Sequence, residues 1–492
     1  VFSPSRFFGQ MMGVGPIKRH SIISLVSNIG VTAIGYLATF YIAHTIGAAP
    51  LGAFFLFFAY WNIFNLIADG GVGGAAIQRI SEGHDQNEYF TAHIALRALF
   101  LIVTLLIVIF IGYVIADPQV SGLISWLLIA LIVGTIGATV TTGVYGSGKV
   151  GISQIADLIN TIVKVVIQIG AVYLGFSVDG LIGGFIAGMI AGALVNIRFL
   201  ALHLARFHKT HIRSLLSYAL WAFLAGATGV VVGYADTILV GYYLNTTEVG
   251  LYRVAVQFSA IAAFIAVSMR LTLYPKISRW KQEGDILSVE TSISRAFTYS
   301  FFLAIPVLVG AGLLAEPILY FLYGAAFSSA TMALILLLAA QIVMVFVTLE
   351  TMTLNALNHP REAFRSAAAA AVTLVILDII LIPLIGISGA ALALLISMGV
   401  NALLAHWFAR HHVSINLEKM PVIHIVLASI IMGIVLELFR VFIPFSQFLI
   451  LLAAVLLGAA IYLLLILKWD TGIHDELKEF TLSLGLPWPS WL

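Results

Sequence analysis

Long apolar runs separated by short polar connections organise the whole chain. Runs of about 20 residues are long enough to cross a bilayer as helices. They predict spans at 21–45, 51–78, 90–116, 121–145, 150–175, 180–202, 215–242, 248–274, 289–314, 330–356, 362–384, 387–410, 420–440 and 446–468. The connections are short; the longest are 203–214, 275–288 and 315–329. The expected fold is therefore an all-α polytopic membrane protein with 14 transmembrane helices. Local similarities recur along the chain. Gly52 in LGAFFLFF answers Gly250 in VGLYRVAV, and Arg79-Ile80-Ser81 answers Lys276-Ile277-Ser278. Gly175 and Gly180 answer Gly386 and Gly389. Spans 1–6 and 7–12 thus read as two parallel copies, because six is even. Parallel repeats related by an axis along the membrane normal are a transporter arrangement, with the site expected between the halves. The expected divisions are an N-terminal arm (1–20), an N-lobe (21–202), a basic linker (203–214), a C-lobe (215–410), two further spans (420–468) and a tail (469–492).

Composition agrees with this pattern. Of 492 residues, 61% are hydrophobic and 9% charged, whereas soluble domains run near 25% charged. There is no cysteine, which excludes disulfides and thiolate metal sites. Charge distribution sets the orientation. With the N-terminus inside, twenty of the 24 Lys and Arg fall on the inner side, among them Arg6, Lys18, Arg79, Lys149, Arg206, Arg213, Lys276, Lys281, Arg361, Arg365 and Arg410. Only Arg440 falls outside. This sidedness predicts both termini in the cytoplasm of a cell membrane, plasma or inner. The first twenty residues lack a signal-peptide core and read as a short cytosolic arm.

The exceptions to apolarity carry the chemistry. Lys164 lies at the middle of the run Ile152 to Leu174, which as a helix measures roughly 34 Å. A lone Lys at mid-membrane costs roughly 2.5–3.5 kcal/mol on insertion scales, so it should not face lipid. Asp157, Asn160, Thr161, Lys164 and Gln168 share one helical stripe. The stripe predicts a polar interior enclosed by other helices; the competing reading is a structural Asp157–Lys164 contact. Arg97, two turns into span 3, and Arg253, in span 8, are further candidate cations. Their competing readings are snorkelling to the inner headgroups and an outer-interface anchor. Asp236 and Asp378 are carboxylates inside spans 7 and 11, and an intramembrane carboxylate is a functional hypothesis by default. Together they could hold Na⁺ or share a proton. Asp69 precedes Gly70-Gly71-Val72-Gly73-Gly74, which predicts either a hinge in span 2 or close packing at small residues. Glu350 has no assigned role. His44, His406 and His424 read as interface residues. No His, Asp or Glu cluster has metal-ligand spacing on one helix, so no metal site is expected.

VGLYRVAVQFSA, EPILYFLYGAAF, the Asn358-His359-Pro360 turn and DIILIPLIGISGAAL resemble the polysaccharide flippases. Their superfamily also holds the lipid II flippase and the multidrug-and-toxin extrusion transporters. The resemblance covers about residues 18–468. It implies two six-helix lobes and a cationic central cavity that opens alternately to each side. The implied cargo is a polyprenyl-pyrophosphate-linked oligosaccharide, moved from the cytoplasmic to the outer leaflet for surface polysaccharide or glycoprotein glycan assembly. Substrate contacts are expected at Lys164, Arg97, Arg253, Asn160 and Asp157. Asp236 and Asp378 match the positions of two aspartates at the lipid II flippase's sodium site. An Asn is expected one turn before the second, and here Leu374 stands there, which argues against Na⁺. No cofactor is expected beyond Na⁺ or H⁺ coupling. The expected partners are the lipid-linked cargo, the membrane, and glycosyltransferases or a polymerase of the same pathway. No nucleic acid is expected, and the chain should act as a monomer.

Two other classes fit less well. A cation-coupled drug and toxin antiporter would favour an acidic, aromatic cavity, and Lys164 opposes it. An enzyme acting on the same lipid would need sizeable outer loops with an acid–base pair, and the outer loops are short. Gly143 to Lys149 mimics a P-loop, but Val150 replaces the Ser or Thr that holds Mg²⁺, and no strand is predicted before it. Asn245-Thr246-Thr247 is a glycosylation sequon close to the membrane.

Overall fold

The computed structural model describes residues 16–115, 118–443, 445 and 447–483, with side chains of the first helix from Thr32 onward. The start of the predicted arm with Arg6 and the last nine residues of the tail lie outside the described residues. Every regular element among the described residues is a helix, and the chain divides into two compact units, Val1–Tyr234 and Ala235–Leu492.

The first unit opens with α1 (Pro16–Ile46), α2 (Ala48–Asp69), α3 (Val72–Ser81) and α4 (Gln86–Ile115). It continues with α5 (Pro118–Gly146), α6 (Val150–Tyr173), α7 (Val178–Phe199) and most of α8 (Lys209–Tyr243). The second unit begins inside α8 and runs through α9 (Thr246–Ser259), α10 (Phe264–Glu283), α11 (Ile286–Leu313) and the short α12 (Ala315–Tyr323). Then follow α13 (Thr331–Ala356), α14 (Pro360–Ile385), α15 (Ile387–Ala409), α16 (Lys419–Phe442), α17 (Phe448–Trp469) and α18 (Thr471–Ser483). Among the described residues, thirteen helical stretches are long and apolar enough to cross a membrane. They correspond to the predicted spans after the first, which falls on α1. The protein is thus an all-α, multi-pass membrane protein.

Local chemistry sets the ends. Asn245 begins α9 by accepting from the Glu248 N–H at 3.0 Å, so the carbonyl of the sequon asparagine caps a helix. Pro360 occupies the first turn of α14, where its missing N–H costs nothing. Lys149, the would-be P-loop lysine, donates to the Phe199 carbonyl at 2.9 Å and neutralises the C-terminal end of α7.

Two predicted spans are interrupted. Span 8 passes through a 3₁₀ turn at Ala260–Ala263. Span 2 breaks at Gly70 and Gly71, both left-handed with φ +56° and +79°. The second of these also meets α8: a Cβ on Gly71 would run into the Ala219 carbonyl and lie 2.7 Å from the Phe223 nitrogen. The glycine run therefore makes a kink as well as a close approach. Beneath it, Val72, Ala75, Ala76 and Ile80 pack with Phe90, Ala92, Leu215 and Ala219. A second cluster joins Phe57 of α2, Leu127 and Leu131 of α5, and Ile182 and Phe185 of α7.

Gly71→Ala should destabilise the protein more than Gly148→Ala. Both glycines have φ near +78°, but a Cβ on Gly148 meets nothing within 4 Å. Backbone strain alone should cost Gly148→Ala about 1–2 kcal/mol. Overpacking against α8 should add roughly 1–3 kcal/mol at Gly71. Thermal unfolding in detergent compares them; equal losses would mean that the α8 contact is unimportant.

Candidate functional site

A polar cavity of about 440 Å³ lies inside the first unit, walled by α2 to α7. Its lining includes Trp61, Asn65, Asp69, Arg97, Asp157 and Asn196, with Gly73, Gly134, Gly137 and Gly192 leaving the space. Arg97 is 2% exposed. Its guanidinium pairs with Asp69 at 3.0 Å, and Gly73 leaves room for that carboxylate, since a Cβ there would sit 2.7 Å from Oδ1. Asn196 donates to Thr141 Oγ1 at 3.0 Å. Several buried atoms of this wall lack a hydrogen-bond partner among the described residues: Trp61 Nε1, Arg97 Nε, Asn65 Oδ1 and Asn196 Oδ1. The wall thus offers two donors and two acceptors, and one cation already matched by a carboxylate. Its charged lining is Arg97, Asp69 and Asp157, so it is not net cationic.

The predicted stripe on α6 divides between this cavity and helix packing. Asp157 and Asn160 line the cavity; Lys164 does not. No ion pair joins Asp157 to Lys164 among the described residues. Lys164 is half-buried where α6 crosses α7 at Gly188. A Cβ on Gly188 would lie 2.6 Å from the Asn160 carbonyl oxygen and 2.9 Å from Lys164 Cβ. Gln168 is buried and donates to the Leu181 carbonyl at 2.8 Å. Glycines at 184, 188 and 192 thus let α7 lie directly on the polar face of α6.

The second unit holds the acidic pair. Asp236 Oδ1 accepts from the Thr237 N–H at 2.5 Å and from its hydroxyl at 3.0 Å. Oδ2 accepts from the Tyr252 hydroxyl at 2.6 Å. Arg253 is half-buried, reaches Thr237 Oγ1 at 3.4 Å and interacts electrostatically with Asp236. It therefore sits with the acidic group of its own unit. Asp378 is fully buried, and neither of its oxygens has a hydrogen-bond partner among the described residues. It is close enough to Asp236 and Tyr252 to interact with both electrostatically. Leu374, fully buried one turn earlier, presents no ligand atom there.

Two pairings were absent from the sequence reading. Asp69, expected at a hinge, neutralises Arg97. The signal was available: Gly83, at the turn, stands midway in the chain between them, so both lie at one depth of the hairpin. Glu350 and His406 were read separately, and they meet at 2.8 Å with Glu350 only 1% exposed.

A family model described as "Polysaccharide biosynthesis protein" matches residues 26–332. The chain is 27% identical over 456 residues to the "Probable low-salt glycan biosynthesis flippase Agl15" of Haloferax volcanii, covering 91% of this chain and 94% of that protein. It is 28% identical over 399 residues to the "Probable flippase AglR" of the same organism, covering 79% and 82%. Among solved structures it resembles the lipid II flippase MurJ in its inward closed conformation. The TM-score is 0.76 at 19% identity, over 90% of this chain and 98% of that one. An inward-facing multidrug resistance MATE transporter gives a TM-score of 0.65 at 14% identity, over 79% and 97%. At these identities the structural likeness establishes the fold.

Asp69→Asn should destabilise the protein more than Arg97→Gln. The first change strands a guanidinium with a side chain 3% exposed, the second a carboxylate with one 24% exposed. Losing one partner of a buried pair costs about 3–5 kcal/mol, with the lower end expected for Arg97→Gln. The double variant should recover part of the loss. Unfolding of the four proteins checks this; additive losses would mean that the pair is not coupled.

Proposed function

Because this chain belongs to the polysaccharide biosynthesis protein family, within the superfamily of the lipid II flippase and the multidrug-extrusion transporters, we propose that it is a flippase for lipid-linked glycans. The cargo is a polyprenyl-pyrophosphate-linked oligosaccharide, carried from the cytoplasmic to the outer leaflet by alternating access. The observation that carries this reading is the nearly end-to-end similarity to an archaeal protein named as a glycan biosynthesis flippase. Charge sidedness along the sequence supports placing both termini in the cytoplasm. On this reading the chain does no covalent chemistry, works as a monomer, and takes its cargo from glycosyltransferases of the same pathway.

The polar cavity of the first unit supports a specific role for Arg97. A pyrophosphate is a concentrated anion that cannot cross hydrocarbon unaided. A lone guanidinium would be as costly in the same place. Asp69 acts as the resident counter-ion, and the pyrophosphate competes with it for the planar donors of Arg97. Asn160 and Trp61 supply neutral hydrogen bonds to the headgroup, and Asp157 and Asn196 add acceptors for sugar hydroxyls. Lys164, one turn from Asn160 on α6, adds a second cation when the helices shift. In the second unit, Asp236 and Asp378 take up the coupling cation, with Tyr252 and Arg253 restraining Asp236. Leu374 removes a neutral ligand, which favours H⁺ over Na⁺. That acidic pair also favours a second reading, a cation-coupled multidrug and toxin extrusion antiporter.

The test is transfer of a pyrophosphate-linked glycan in proteoliposomes, read by an impermeant lectin, with and without Na⁺ and pH gradients. Arg97→Gln should slow transfer roughly tenfold or more, as expected for losing one charge-assisted contact. Asp69→Asn should bind the lipid more tightly and release it more slowly. Lys164→Ala should abolish transfer in a folded protein, and unchanged transfer would remove Lys164 from the site. Asp378→Asn should abolish the response to a gradient. Efflux of organic cations with no lipid transfer would establish the second reading instead.

A further inference from the structure

In the second unit, the turn before α14 and the turn after α15 bring together His359, Glu362 and His412. One donor atom of each lies within 4.8 Å of the other two. His412 Nε2 and Glu362 Oε2 are 2.9 Å apart, and His359 Nδ1 and Glu362 Oε1 are 3.9 Å apart. The two imidazole rings stack with centroids 3.7 Å apart. We infer that these three side chains form a binding site for a divalent transition metal of the zinc type, independent of the transport reading.

The donor set argues for that class of ion. Two imidazoles with one carboxylate suit zinc and its neighbours, whereas Mg²⁺ and Ca²⁺ take oxygen ligands. Zinc lies about 2.0–2.1 Å from such donors, which places tetrahedral ligand atoms roughly 3.3 Å apart. The observed separations bracket that value, so rotation of side chains closes the site without moving the backbone. The ion replaces the hydrogen now shared by His412 and Glu362, and the stacked rings splay to point both nitrogens at it. The side chains are 25% to 36% exposed, which leaves a path for the ion and a water as fourth ligand.

The frame around the donors is already fixed. His359 N donates to the Leu354 carbonyl at 2.8 Å, and His412 N to the Ala409 carbonyl at 2.9 Å. Leu354, Ala363, Ala405 and Ala409 form an apolar cluster among the three helices. Ser278 and Lys281 of α10 cap the Ala356 and Leu357 carbonyls at the end of α13. The Lys281 ammonium is the nearby charge that opposes a cation, and it is directed at Leu357. His411 is not among the donors that converge here, and its Nδ1 lies 2.6 Å from the Trp407 carbonyl oxygen. Sequence spacing missed this site because its ligands come from two turns fifty residues apart.

The experiment uses the full chain purified with a tag that contains no histidine, stripped with chelator and titrated with Zn²⁺ and with Co²⁺. Wild type should retain about one zinc per chain after desalting, unfold at a higher temperature with zinc, and show visible cobalt bands of tetrahedral intensity. Equal Mg²⁺ or Ca²⁺ should leave the unfolding midpoint unchanged. His359→Ala and His412→Ala should weaken zinc binding roughly tenfold or more, and His411→Ala should retain it. Glu362→Gln keeps the shape and a hydrogen bond, so a normal elution profile with lost cobalt bands would support the site. Failure of the wild type to retain zinc, or equal zinc in the His359 and His412 variants, would overturn it.

Discussion

A polar group inside hydrocarbon must find its partner within the protein, because no water is there to supply one. This one constraint accounts for most of what distinguishes the interior of this chain from an oily bundle. Arg97 is neutralised by Asp69 across the α2–α4 hairpin. Asp236 is surrounded by three donated hydrogen bonds from Thr237 and Tyr252. Gln168 reaches a backbone carbonyl on the adjacent helix. Scattered Ser and Thr return their hydroxyls to the carbonyl one turn back, as Thr104 does to Phe100. The exceptions stand out against this economy. Among the described residues, Asp378 has no hydrogen-bond partner for either oxygen, the cavity wall of the first unit carries four more unmatched atoms, and others lie elsewhere, on Thr135, Ser153 and Asn401 among them. Each unmatched group costs about 1–3 kcal/mol.

Small residues make that satisfaction possible. Gln168 meets the Leu181 carbonyl only because α6 and α7 approach at Gly184, where a Cβ would sit 2.6 Å from Gln168 Cγ. Gly188 does the same at Asn160 and Lys164. Gly73 makes room for the Asp69 carboxylate, and Gly71 brings the kinked end of α2 against α8. Glycine weakens an isolated helix by about 1 kcal/mol. In hydrocarbon that cost is offset by dispersion contacts and by hydrogen bonds that only close backbones can form.

What could be read in advance follows from which physical signals are one-dimensional. Hydrophobic runs gave the helices, since length and apolarity are properties of the sequence alone. The polar stripe on α6 was also legible, because helical period places Asp157, Asn160, Lys164 and Gln168 on one side. The period does not say what covers that side. Here α7 takes part of it, and Lys164 lies on a helix crossing while Asn160 faces the cavity. Hairpin partners follow a simpler rule. Leu244 stands midway between Asp236 and Tyr252, as Gly83 does between Asp69 and Arg97. Residues equidistant from a tight turn share a depth and can meet. The His359 cluster follows the same rule, since Ile387, at the turn between α14 and α15, stands midway between Glu362 and His412. The Glu350–His406 pair does not: it joins α13 to α15 across the whole of α14, so only the packed fold reveals it.

The Asp69–Arg97 pair also bears on how a carrier can hold an anion without trapping it. At an effective dielectric near 20, two unit charges about 4 Å apart attract by about 4 kcal/mol. A free guanidinium in that cavity would bind a pyrophosphate with the full benefit of leaving an unfavourable state, and release would be slow. On the flippase reading proposed above, with Asp69 in place the anion would gain only the difference between its own attraction and that of the carboxylate it displaces. That difference would favour the pyrophosphate, which carries more charge and more acceptor oxygens. It would be smaller than the whole interaction, and return of the carboxylate would assist release. The kink at Gly70 and Gly71 follows Asp69 directly, so a change of angle between α2 and α3 would move the carboxylate relative to Arg97. A conformational change would then alter the affinity for an anion through the length of a single ion pair.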